Sequence, residues 1–232
     1  MCWIRYGRSL RQNEMKKDKN IILDNFIWRF AERCGAQLVT AVVTLLLARI
    51  LMPEDYGRTA LVAVFINILQ VFIDSGLGTA LIQKKDADDL DFSSVFYFNF
   101  AVCLVLYAGM FIAAPYIAAF YKDLTLTPVV RVASLTLVFS GVKGIQQAYV
   151  SRNMLFKRFF FATLGGTLFS AFLGLGMAYA GFGVWALVAQ QLSNTAIDTL
   201  ILWLTVHWRP KAVFSWQRLK GLLSYGWRLL AS

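Results

Sequence analysis

The stretch from residue 25 to residue 51, NFIWRFAERCGAQLVTAVVTLLLARIL, holds no proline. It is long enough to cross a bilayer as a helix, for which about 20 mostly apolar residues suffice. Comparable runs recur at 59–82, 94–120, 128–149, 159–179 and 184–206. In lipid a backbone must satisfy its own polar groups, so such segments fold as helices packed side by side. Composition agrees: 58% of residues are hydrophobic and only 16% charged, with a mean hydropathy of +0.58. The sequence therefore predicts an all-α, polytopic integral membrane helical bundle with six transmembrane helices plus the start of a seventh. A basic tail over 1–24 precedes a six-helix lobe over 25–206. A basic interfacial connector and a truncated seventh helix fill 207–232.

The connectors set the topology. Pro53 is expected to stop the first helix, with Glu54, Asp55, Tyr56 and Gly57 as a short polar turn before the next span. Pro115 is expected to interrupt the third span near its end, and Pro128 suits the first turn of the fourth. Ala180-Gly181-Phe182-Gly183 reads as a tight turn. The connector with Asp86, Asp88, Asp89 and Asp91 lacks the glycine and glutamate of a calcium loop, so it reads as solvated, with Asp91 or Ser93 capping the next helix. Lysine and arginine alternate by side: six in the tail, two near 84, three in 151–158 and four in 207–220, against only Arg58 and Lys122 in the other connectors. That bias places the N-terminus inside. The net charge of +10 is thus a membrane-surface signal rather than a nucleic-acid one.

Enzyme chemistry has no visible foothold. Cys2, Cys34 and Cys103 are scattered, with neither disulfide nor metal-ligand spacing, and read as small packing residues. The single histidine, His207, stands beside Trp208 and Arg209 at a membrane exit. No nucleophile elbow, phosphate-binding loop or metalloprotease motif occurs. No cofactor or metal is expected. The first twenty residues lack the apolar core of a cleavable signal peptide.

The remaining signal is polarity inside the spans. Arg29, Glu32, Arg33, Gln37, Thr40 and Thr44 share one face of the first helix, opposite Phe26, Phe30, Val39, Val42 and Leu46. Asn67, Gln70 and Asp74 share a face of the second, and Gln190, Asn194 and Asp198 recur every four residues in the sixth. At a rise of 1.5 Å per residue, Arg33, Asp74 and Asp198 lie roughly 12 Å from the inner helix ends, and Lys143, one turn from Gln147, roughly 9 Å. Charges at that depth must pair or face water. Either Arg29 and Lys143 reach for headgroups while Arg33, Asp74 and Asp198 pair as struts, or the set lines an inward-facing cavity that attracts an anion.

Four motifs carry a resemblance: LARILMPEDYG (47–57), FIDSGLG (72–78), QAYVSRNMLF (147–156) and GFGVWAL (181–187). Together the chain resembles bacterial oligosaccharide flippases, the polysaccharide-transporter branch of the superfamily that also holds multidrug exporters. The resemblance implies a flippase in the bacterial inner membrane that moves undecaprenyl-pyrophosphate-linked oligosaccharide by alternating access. Arg29, Arg33, Gln37, Asn67, Gln70, Asp74, Lys143, Gln147, Gln190, Asn194 and Asp198 would line its cavity. Lipid-linked oligosaccharide, membrane lipids, a polysaccharide polymerase and chain-length proteins are the implied partners. Such flippases carry twelve to fourteen helices in two lobes, so this chain reads as the first lobe. A multidrug-type exporter and a non-transporting assembly scaffold are the other readings. A glycosyltransferase is disfavoured for want of an acidic pair in an aqueous loop.

Overall fold

A 24-residue apolar helix, α1 (Ile27–Ile50), opens the described part of the chain. The computed structural model describes residues 27–73, 77–84, 87–153 and 156–230, so the tail, Phe26, Asp74, Lys85 and Asp86 lie outside it. All regular structure among the described residues is helical. On α1 the face turned to the protein carries Glu32, Val39, Val43 and Leu47, spaced seven, four and four residues as a helical stripe requires. Val39 therefore packs inward, whereas Phe30, Val42 and Leu46 are exposed as an apolar outer face should be.

Pro53 does not end a helix followed by a turn; it begins one. α2 (Pro53–Ile73) starts there, because a proline needs no N–H partner in a first turn. Glu54 and Asp55 follow in that turn, where carboxylates favour the positive helix end. Next come α3 (Leu77–Gln83) and the 32-residue α4 (Asp89–Phe120). Asp88, not Asp91 or Ser93, caps α4: it accepts the Asp91 N–H, and the Asp91 carboxylate accepts the Asp88 N–H in return. α4 also runs unbroken through Pro115. The proline leaves the Phe111 carbonyl without its helical donor, and the Arg131 guanidinium donates to that oxygen at 3.4 Å.

The fourth expected span is two helices, α5 (Leu126–Ala133) and α6 (Leu135–Arg152), broken at Ser134. The Ser134 hydroxyl donates to Val130 O and the Thr136 hydroxyl to Ala133 O, tightening the break. α7 (Phe156–Tyr179) and α8 (Val184–Thr205) form a close antiparallel pair. Small residues permit this: a Cβ on Gly166 would meet Asn194 O at 3.1 Å, and one on Gly174 the Gln190 Cβ at 2.9 Å. Gly181 and Gly183, at φ +79° and +53°, make the tight turn between them.

Five stretches are long and apolar enough to cross a membrane: α1, α2–α3, α4, α5–α6 and α7. The sixth expected span, α8, has 22 residues but falls short in hydropathy, lowered by Gln190, Gln191, Asn194 and Asp198. It is nevertheless the helix the bundle closes around, packing on α2, α5, α6 and α7. α9 (Trp216–Leu230) begins six residues earlier than the expected helical start at 222 and lies across α3 and α4 with Leu219 and Leu222 buried.

Candidate substrate cleft

The polar residues separate into three groups rather than one layer. The first is a buried ion pair: Lys143 Nζ of α6 meets Asp198 Oδ2 of α8, with the aspartate side chain 4% exposed. Lys143 is thus a strut partner and does not reach out to headgroups. Asp198 Oδ1 accepts no further hydrogen bond among the described residues.

The second group is a cleft of about 270 Å³ between α1, α2, α7 and α8. Gln190, Gln191 and Asn194 line it from α8, Thr40 and Thr44 from α1, Thr59 from α2, and Thr167 and Ser170 from α7. Counted at 1.5 Å per residue from the nearest helix ends, these groups lie roughly 9 to 17 Å deep, the deepest of them at mid-bilayer. Gln190 and Asn194 were legible in advance. Thr167 and Ser170 were not singled out, although Thr163, Thr167 and Ser170 recur at helical spacing in α7. Several of the hydroxyls donate back along their own helices, Thr40 to Ala36 O and Thr167 to Thr163 O. Their oxygens can still accept from a ligand.

The third group is a smaller cavity of about 240 Å³, where Gln147 meets Thr79, Asn99 and Ser151. Asn99 donates to Gly141 O at 3.3 Å, across a close approach where a Cβ on Gly141 would strike Cys103.

The first helix behaves less uniformly than its stripe suggests. Arg29 is tied to Glu32 at 2.9 Å and stacks on the Phe159 ring, and Glu32 is buried against the Thr163 hydroxyl. Arg33 and Gln37 stay exposed, and no described residue pairs with Arg33. Of the struts expected among Arg33, Asp74 and Asp198, the Asp198 carboxylate is taken by Lys143 instead. With Thr40 and Thr44 they continue one exposed line along α1 into the cleft. On α2, Asn67 is exposed and Gln70 half-buried, neither lining the cleft. Asp74 lies outside the described residues.

The ends of the bundle differ in charge. At one end, Arg58 pairs with Asp123 at 2.7 Å, and Gly183 sits against Asp55. The Thr125 hydroxyl, and then Arg58, hold the Asp123 carboxyl below the usual carboxylate range. At the other end the aspartates expected to be solvated clamp the 206–215 segment and α9. Lys84 pairs with Asp91 at 2.5 Å, Arg218 with Asp88 at 2.6 Å, and Lys211 with Asp89 at 2.7 Å. Trp208 donates to Asp89, buried Gln146 donates to Trp208 O, and Ser93 and Ser94 accept the Lys211 and Ser215 N–H groups. The Asp91 N–H, and after it Arg218, depress the Asp88 carboxyl.

Among the described residues no cluster of histidine, cysteine or acidic side chains could hold a metal ion. The cleft offers hydroxyls, amides and a line leading to a cation. It can hydrogen-bond a polyhydroxylated ligand and draw in an anion.

Comparison with known proteins points the same way. The family described as "polysaccharide biosynthesis protein" matches residues 46–232. A succinoglycan biosynthesis transport protein of Rhizobium meliloti is 25% identical over 90% of this chain and 42% of its own length. A teichuronic acid biosynthesis protein of Bacillus subtilis is 29% identical over 68% of the chain and 33% of its own length. A lipopolysaccharide biosynthesis protein of Escherichia coli is 24% identical over 67% and 32%. The chain therefore spans less than half the length of each of these relatives. No solved structure gives a significant match. A multi-pass helical membrane protein matched by the family model from residue 46 onward, this chain belongs to the family of polysaccharide biosynthesis proteins.

Proposed function

We propose that this chain forms one lobe of a flippase that carries undecaprenyl-pyrophosphate-linked oligosaccharide across the bacterial inner membrane for surface polysaccharide synthesis. The observation that carries the reading is the mid-depth cleft of Gln190, Asn194, Thr40, Thr44, Thr59, Thr167 and Ser170 inside a membrane bundle of this family. Hydroxyls and amides suit a glycan, which presents donors and acceptors on every face. Arg33 and Gln37, exposed on the same line of α1, suit the pyrophosphate, since a guanidinium grips phosphate oxygens two at a time. The cleft is small for an oligosaccharide, and a second lobe facing it would complete the lumen. α8 crosses as the sixth helix, its polar side turned into the bundle, and α9 leads towards that second lobe. The charge bias puts the N-terminus and the clamped end in the cytoplasm. The chain does the moving by rocking and catalyses no bond change.

The test is photocrosslinking in cells that synthesise the lipid-linked oligosaccharide. A benzophenone amino acid at Thr44 should give a glycan-bearing adduct that vanishes when the first sugar transferase is deleted. The same group at Leu45, on the exposed apolar side, should give none. No adduct at Thr44, or one that survives the deletion, would remove the substrate from this cleft.

A further inference from the structure

Where α7 begins and α8 ends, a groove of about 610 Å³ opens on the outside of the bundle. Its rim is cationic: Lys157 and Arg158 from the first turn of α7, with His207 just past the end of α8. Its wall is apolar, formed by Phe161 and Leu204, which are 52% and 74% exposed. Three features make this more than a patch of surface charge. Lys157 and Arg158 stand at the positive end of a helix whose first turn holds no acidic residue, an arrangement that repels itself unless an anion is present. Neither cation forms an ion pair among the described residues, in contrast to Lys84, Lys211 and Arg218 at the same end of the bundle. Both are also held in position. Arg158 donates to the Thr205 carbonyl, and Lys157 lies 5.4 Å from the centroid of the Trp28 ring, which is 5.2 Å from that of Phe160.

The geometry points to a binding site for an anionic phospholipid, its phosphate on Lys157, Arg158 and His207 and one acyl chain along Phe161 and Leu204. The order of the lining fits a lipid at a membrane surface. The cations sit at the helix ends, one turn from exposed apolar side chains that continue towards the bilayer interior. A free inorganic anion would use the rim and leave the wall bare. The site lies outside the bundle, away from the threonine- and glutamine-lined cleft, so it does not depend on what that cleft carries.

The experiment follows thermal unfolding of the purified full chain in a neutral detergent during titration with lipid. Dioleoylphosphatidylglycerol should raise the unfolding temperature with a saturable dose response, and dioleoylphosphatidylcholine should do so far less. Lys157→Gln should weaken the apparent affinity several-fold, Lys157→Gln with Arg158→Gln by at least about tenfold, and Lys157→Arg little. Lys220→Gln, on α9, should leave it unchanged. If the double variant fails to fold, Lys157→Glu, which spares the Arg158 hydrogen bond, should abolish the lipid response by itself. Equal responses to the two lipids, an unaltered response in the Lys157 variants, or full stabilisation by inorganic phosphate alone would each overturn the assignment.

Discussion

The clamped end and the mid-depth cleft are built from similar numbers of polar side chains and use them in opposite ways. At the clamped end the carboxylates of the acidic connector are spent internally. Asp88, Asp89 and Asp91 hold Arg218, Lys211 and Lys84, and the 206–215 segment is pinned by Ser93, Ser94, Gln146 and Asp89. In the cleft no ion pair occurs among the lining residues, and hydroxyls and amides face open space. Groups already paired stabilise and orient, whereas groups with spare acceptors recognise. The contrast identifies the first region as a lock and the second as a binding surface, and it can be tested by removing pieces of each.

The largest stability effect should come from the ion pair between the two regions. Lys143→Met leaves Asp198 buried without its cation, which costs about 4 kcal/mol. Lys143→Met combined with Asp198→Leu should recover most of that loss in thermal unfolding of the purified protein. Failure of the double variant to recover would mean that the pair does more than hold α6 to α8. Next is Asp91, fully buried between Lys84 and Arg218. Asp91→Ala should cost about 3 kcal/mol, the low end for breaking a buried pair because both cations reach water. It should also expose the 206–215 segment to protease before the rest of the chain melts. Simultaneous loss of all protection would show that the clamp and the bundle fold as one unit.

Prediction and structure part company at particular residues, for identifiable reasons. The order and approximate ends of five spans follow from long apolar runs, which report a bilayer's thickness directly, whereas the polar residues of α8 take it below that signal. Gln190 and Asn194 were legible because polar residues in a span demand a partner or water. Pro53 was misread, since a proline ends one helix or starts another by the same loss of an N–H, and the choice depends on which neighbour continues. The break at Ser134 and the continuity through Pro115 depend on Val130 O and Arg131, contacts that spacing cannot reveal. The acidic connector looked solvated because two of its three cations, Lys211 and Arg218, come from more than a hundred residues later. The stripe on α1 placed Arg29 beside Arg33 correctly, but Glu32 captures only the former.

Two smaller effects sharpen the contrast. Asp88 titrates below the carboxylate reference value of 3.8 when folded. Its contribution to the clamp is therefore complete above the unfolded pKa and lost as pH falls through the lower, folded one. Acid should loosen the 206–215 segment in that range, read as a change in Trp208 emission, and Asp88→Asn should flatten the response. An unchanged acid response in that variant would assign it elsewhere. Smallest of all, Gln190→Ala with Asn194→Ala should alter stability by no more than about 0.5 kcal/mol per site, yet sharply reduce the Thr44 photoadduct. A large loss of stability would make the cleft a structural contact instead.

The most direct measurement is water access at mid-depth. In a background with Cys2, Cys34 and Cys103 replaced by alanine, the changes Thr44→Cys, Asn194→Cys and Leu45→Cys each supply one thiol for a small, charged, membrane-impermeant reagent. Thr44→Cys and Asn194→Cys should react quickly and be protected by lipid-linked oligosaccharide, while Leu45→Cys, facing lipid, should stay unmodified. Equal reactivity at all three positions, or silence at Thr44→Cys and Asn194→Cys, would contradict a wet, substrate-binding cleft.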